Sequence, residues 1–60
     1  MEKLNVAIAD DTERILDLLD EIISSDNSLK VVGKANNGED ICHIIKDQEP
    51  DVVLLDLIMP

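Results

Sequence analysis

Val52-Val53-Leu54-Leu55-Asp56-Leu57, opened by Asp51 and closed by Ile58-Met59-Pro60, is the stretch on which the fold turns. Five of the six residues from Val52 to Leu57 are apolar, with no alternation. Such a run fits a strand buried on both faces, as in a parallel sheet covered by helices. The one carboxylate, Asp56, is costly to bury. It becomes tolerable where it projects from the sheet's carboxyl edge, the side on which open α/β sheets bind ligands. Pro60 cannot extend a ladder, so the strand stops before it.

Upstream, Glu49-Pro50-Asp51 breaks a helix predicted from about Gly38 to Asp47, with Ile41, Cys42, Ile44 and Ile45 on its buried side. The turn Asn36-Asn37-Gly38 precedes it. Before that turn, Leu29 to Ala35 reads as a strand centred on Val31 and Val32, and Lys30 and Lys34 suit a sheet edge. Ser24 to Ser28 is a turn cluster. It ends a helix whose apolar positions Ile15, Leu16, Leu18, Leu19, Ile22 and Ile23 repeat on one face. Asp11 or Thr12 caps that helix. Leu4 to Ala9 is the first strand, stopped by Asp10 and Asp11.

The order is β-α-β-α-β with short connections, which predicts a parallel sheet with helices on its faces. In a flavodoxin-like, doubly wound sheet the strand order begins 2-1-3. The lysine-bearing strand then lies at an edge. The first and third strands lie side by side, bringing Asp10 and Asp11 near Asp56.

Composition bounds the rest. At 60 residues the chain is short, with no aromatic residue and one cysteine. A domain of this size buries only about 60% of its unfolded surface. The strand at Val52 to Leu57 has no covering helix after it, so the sequence reads as the N-terminal part of a larger single domain. The formal net charge of −9 repels nucleic acid phosphates and anionic membranes. Divalent cations and basic protein surfaces are the better partners. With no transmembrane stretch and no signal peptide before the first strand, a cytoplasmic location is expected.

Three converging carboxylates imply specific chemistry. Two unit charges about 4 Å apart repel by roughly 4 kcal/mol at an effective dielectric of 20. The cluster therefore takes up a proton or binds a cation. Mg²⁺ suits one or two carboxylates with retained waters ready for a phosphate oxygen. Asp56, alone at its strand end, is placed to attack phosphorus, since aspartyl-phosphate is an established covalent form. Asp11 would hold the metal directly, and Asp10 directly or through water.

Asp10-Asp11 after an apolar strand, followed by Val52-Val53-Leu54-Leu55-Asp56-Leu57-Ile58-Met59-Pro60, resembles the receiver domain of two-component response regulators. Val6 to Asp11, Val31 to Gly33 and Asn37-Gly38 look similar to receivers of the stage 0 sporulation protein A type. The resemblance implies that Asp56 accepts a phosphoryl group from a histidine of a kinase or histidine phosphotransferase in a phosphorelay. It implies Mg²⁺ ligation by Asp11, Asp56 and the backbone carbonyl of Ile58, with Asp10 assisting. It also implies transcriptional control through a DNA-binding domain beyond Pro60. The family's Ser/Thr and Lys switch positions, on its fourth and fifth strands, have no counterpart in these residues. In receivers the first helix commonly docks the partner histidine's helices, which makes Arg14, Ile15 and Leu18 contact candidates. Ile58 cannot orient an attacking water, so slow loss of phosphate is expected.

The same residues have plainer readings. Asp10 and Asp11 could be a solvated turn and helix cap, and Asp56 an acid held by loop amides. His43 reads as a surface histidine and Cys42 as a small core residue. No second cysteine or suitably spaced histidine makes a zinc site. Gly33 to Gly38 has phosphate-loop spacing, but Glu39 and Asp40 stand where Lys and Ser/Thr are required. A metal-dependent phosphatase or phosphotransferase with an aspartyl nucleophile is the rival function. It would want a general acid where Ile58 stands, so the expectation is a phosphoacceptor module and not an enzyme. A third reading is a fragment that self-associates through the strand at Val52 to Leu57.

Overall fold

Residues 3–56 are described by a computed structural model. Its elements are β1 (Leu4–Asp10), α1 (Glu13–Ser24), β2 (Leu29–Ala35), α2 (Gly38–Gln48) and β3 (Val52–Asp56). The strands form one parallel sheet in the order β2-β1-β3. This is the β-α-β-α-β, 2-1-3 arrangement that the periodicity predicts.

Alternation along β1 sorts the core into two layers. Val6 and Ile8 face one way and pack with Leu16 and Ile23 of α1, joined by Leu19, Leu29 and Val31. Ala7 and Ala9 face the other way and pack with Ala35 and Ile41, joined by Ile44 and Val53. The helices therefore cover opposite faces. Ile8 is the largest side chain with no exposure. The α2 face is built from small residues, which lets that helix sit close to the sheet. At Gly33 the approach is so tight that a Cβ would meet Ile44 Cγ2 at 2.5 Å.

One residue of β2 breaks the simple alternation. Val6 pairs with Val31, but Ala7 pairs with Gly33, so Val32 is an extra residue in β2. The shift puts Gly33 on the α2 face beside Ala7. It puts Lys34 beside Ile8 on the α1 face, where its Nζ meets Asp20 at 3.2 Å and Asp17 at 3.5 Å. Both lysines are exposed on the edge strand β2, and Lys34 is in addition held by α1.

The helix ends follow local chemistry. Thr12 is the N-cap of α1 without a side-chain cap bond. Its own N–H instead donates to Asp10 Oδ1 at 2.9 Å. Past Ser24, Asp26 Oδ1 accepts from the Ser28 N–H at 2.9 Å and from the Ser28 hydroxyl at 2.7 Å, closing the turn into β2. Asn37 caps α2, its Oδ1 accepting the Asp40 N–H at 2.8 Å. At the other end Glu49 takes a left-handed conformation (φ 46°), and its N–H closes on the Ile45 carbonyl.

Three expectations are corrected. β3 is not buried on both faces: Val52, Leu54 and Leu55 are 38%, 43% and 60% exposed, and Val53 is half-buried. The reason is that neither helix lies over β3, and among the described residues its one strand neighbour is β1. Cys42 is exposed and no part of the core, because α2 turns Ile41 and Ile44 inward against the alanines. Ile45 is also partly open, at 38% exposure. On α1, Ile15, Leu18 and Ile22 form a second, exposed apolar stripe, because only the Leu16, Leu19 and Ile23 side meets the sheet. His43 is exposed, as expected.

Candidate functional site

The parallel sheet gathers the ends of its strands on one edge, and a pair of hydrogen bonds at the opposite edge sets which residues meet there. Asp51 Oδ2 accepts the Asn5 N–H at 2.8 Å, and the Asp51 N–H donates to the Asn5 carbonyl at 2.8 Å. Five residues further along each strand, Asp10 and Asp56 are register partners. Facing residues on neighbouring strands about 4.8 Å apart point to the same side of a sheet. Asp10 and Asp56 therefore share the α1 face, in line with Ile8 and Leu54.

Their environments differ. Asp10 is 3% exposed and is the buried charged residue among those described. Its bond from the Thr12 N–H lies at the entrance to α1, where the helix's positive dipole end favours a carboxylate. Asp56 is exposed. Asp11 sits in the bend between β1 and α1, exposed, with the Thr12 hydroxyl 3.5 Å from its Oδ1. The structure thus sets Asp10 beside Asp56 and leaves Asp11 one residue on, outside the ladder. Among the described residues no three His, Cys, Asp or Glu side chains gather closely enough to hold a metal ion. Ile58 and its carbonyl lie outside the described residues.

The donor chemistry still suits a hard cation. Two carboxylates from adjacent strand ends, with no sulfur or imidazole between them, are a set that Mg²⁺ accepts while keeping several waters. A carboxylate as buried as Asp10 beside a second carboxylate gains from a cation at that edge. An open groove of about 380 Å³ lies nearby, between Glu13, Leu16 and Asp17 of α1, Lys34 to Asn36, and Asp40. None of the three acids lines it.

The sequence marks Asp51 only as part of a helix-breaking turn, yet it locks the register that aligns Asp10 with Asp56. The signal was available: Asn5 to Asp10 and Asp51 to Asp56 have the same spacing.

Among known proteins, the chain is 37% identical over 60 residues to a protein-glutamate methylesterase/protein-glutamine glutaminase of Syntrophomonas wolfei. That match covers 100% of this chain and 17% of the relative. A protein of the same name from Clostridium acetobutylicum is also 37% identical over 60 residues, with the same shares covered. A third, from Methanosarcina barkeri, is 47% identical over 57 residues, covering 95% of this chain and 16% of the relative. The chain thus spans about one sixth of the length of the curated relatives it matches. These relatives carry enzyme names, which overturns the expectation that the protein is not an enzyme, although the matched part is only a small share of each. They give no support to the closer likeness to sporulation-type receivers. The model of the response regulator receiver domain matches residues 6–60, and the chain belongs to that family.

Proposed function

We propose that the chain is the phosphoacceptor part of a cytoplasmic two-component regulator, with Asp56 as the acceptor. A carboxylate oxygen of Asp56 attacks the phosphorus of a phosphohistidine on a partner kinase or phosphotransferase. The P–N bond breaks, and the departing imidazole takes up a proton. Asp10 and Asp11, with Asp56 and the Ile58 carbonyl, would hold Mg²⁺, which when bound offsets charge on the phosphoryl oxygens. The buried Asp10 contributes fixed negative charge under the site and stays in place through its bond from Thr12. The exposed Asp56 remains free to meet a donor. The observation that carries this reading is the register pairing of a buried and an exposed aspartate at the carboxyl edge of a receiver-family sheet.

The relatives' names favour an output in which the whole protein acts on glutamate esters or glutamine amides of other proteins. A transcriptional output of the sporulation type rests on the motif likeness at Val6 to Asp11, Val31 to Gly33 and Asn37-Gly38 alone. A second reading, self-pairing of β3, is favoured by the exposure of Leu54 and Leu55 beside a strand edge that carries no lysine. Sedimentation of the wild-type chain against Leu54→Lys tests it: equal monomeric profiles remove it.

The acceptor assignment is tested with phosphoramidate, which carries the P–N bond of phosphohistidine. The complete receiver with Mg²⁺ should gain the mass of one phosphoryl group, and the Asp56→Asn variant should not. A gain that survives Asp56→Asn sinks the assignment.

A further inference from the structure

The turn Asn36-Asn37-Gly38 has no part in phosphoryl chemistry, yet it places a reactive dipeptide at a structural joint. Asn37 is exposed and is the N-cap of α2, and Gly38 is the first residue of that helix. An asparagine followed by glycine is open to attack by the glycine nitrogen on the side-chain amide carbon, because glycine has no Cβ to hinder the approach. Three hydrogen bonds hold that amide in the folded chain. Its Oδ1 accepts the Asp40 N–H at 2.8 Å, and its Nδ2 donates to Asn36 Oδ1 at 2.9 Å and to Asp40 Oδ2 at 3.0 Å.

We infer that Asn37 is a self-modification site, and that the Asp40 carboxylate is the latch controlling it. When the cap opens, the Gly38 nitrogen loses its proton to a solvent base and bonds to Asn37 Cγ. The Cγ–Nδ2 bond breaks, ammonia leaves with that proton, and a five-membered imide forms. Water then opens the ring at one of its two carbonyls, giving aspartate or isoaspartate. The sum is one water consumed and one ammonia released, with no oxidant or reductant. Either product loses the Nδ2 donor, so a new carboxylate faces Asp40 where an amide had bridged it. The isoaspartate product also lengthens the main chain by one carbon inside the cap, which the α2 N-terminus cannot absorb without losing its Asp40 N–H bond. The change is confined to one joint: α2 packs Ile41 and Ile44 on Ala7, Ala9 and Ala35, so its first turn can open while the rest holds.

The test is peptide mapping by mass spectrometry during incubation at neutral to mildly alkaline pH, with Asn27-Ser28 in its exposed turn as the internal reference. Asn37 should convert ahead of Asn27, and Gly38→Ala should suppress conversion. Asp40→Ala keeps the backbone N–H but removes the latch, and should speed conversion at Asn37 alone by about fivefold, the factor that losing one net hydrogen bond allows. Conversion at Asn27 matching Asn37, a rate unchanged by Asp40→Ala, or equal acceleration of Asn27 in that variant would overturn the inference.

Discussion

Asp51 and Asn5 hold each other from both sides, the Asp51 carboxylate taking the Asn5 N–H and the Asn5 carbonyl taking the Asp51 N–H, each at 2.8 Å. The tie starts the β1–β3 ladder, and the ladder then delivers Asp10 opposite Asp56. Asp51→Ala removes the side-chain half and leaves the backbone half. It should lower stability by about 1 kcal/mol, the usual net worth of one hydrogen bond. Asp51→Asn keeps an acceptor and should recover most of that loss. Urea midpoints of the three proteins check it. Acceptor activity at Asp56 should follow the same order, because a loosened register separates the paired acids.

Gly33 makes a second test of packing. A Cβ there meets Ile44 at three atoms, the nearest at 2.5 Å. Ile44 is β-branched and sits on a helix, so its rotamer cannot simply swing aside. Gly33→Ala should therefore destabilise by roughly 1–3 kcal/mol, the range for overpacked cores. Shortening the neighbour with Ile44→Ala should recover part of it. A double-mutant cycle in urea measures that coupling, and strict additivity of the two changes would remove the proposed contact.

The ion pair on the α1 face gives a pH signature. Asp20 is held below its ordinary 3.8 first by the hydrogen bond from Lys34, then by that from Ser24. Asp26 is held below 3.8 by the Ser28 hydroxyl and then the Ser28 N–H. Groups lowered in the folded state lend stability that is fully present above 3.8 and is lost as pH falls through their lower folded values. Lys34 is raised above 10.5, first by its hydrogen bond to Asp20, so its share is present below 10.5 and lost as pH rises through the higher folded value. Asp26 and Lys34 are exposed and Asp20 is half-buried, so these slopes are shallow and weaken with salt. Lys34→Met should flatten the alkaline slope and part of the acid slope, leaving the Asp26 share. Denaturation midpoints followed from pH 2 to 12 in both proteins check it.

How far the sequence carried the fold depends on what each pattern encodes. Leu29 to Ala35 is a strand with the bounds its valines and flanking turns suggest, and the 2-1-3 order follows from short crossovers. Val32 defeats the reading beyond that. An extra residue in a strand has no compositional mark, so the place of Lys34 on an edge strand is legible and its partnership with α1 is not. The exposure of Cys42 is not legible because helical phase depends on which residue meets Gly33, a tertiary fact. The run Val52 to Leu55 declares that it wants cover and says nothing about where the cover comes from. At the site, Asp10 and Asp56 were legible as strand-end acids. Their partnership rests on Asp51, whose role needs both strands at once.

The paired acids make the final prediction. Like charges directly opposite on neighbouring strands cost roughly 0.2–1 kcal/mol, and here one of them is buried. Without divalent ion, Asp56→Asn should therefore raise stability by about that amount. Mg²⁺ should reverse the ranking. A ligand bound only by the folded state adds RT ln(1 + [L]/Kd), about 2.7 kcal/mol at a hundredfold excess over Kd. The wild type should gain that increment, and Asp56→Asn and Asp10→Asn should gain little of it. The urea midpoint with and without Mg²⁺, with Ca²⁺ as a control for larger and more loosely held cations, decides the matter. Equal Mg²⁺ gains in all three proteins would mean that the ion sits elsewhere on this acidic chain, and the two strand ends would lose their claim to it.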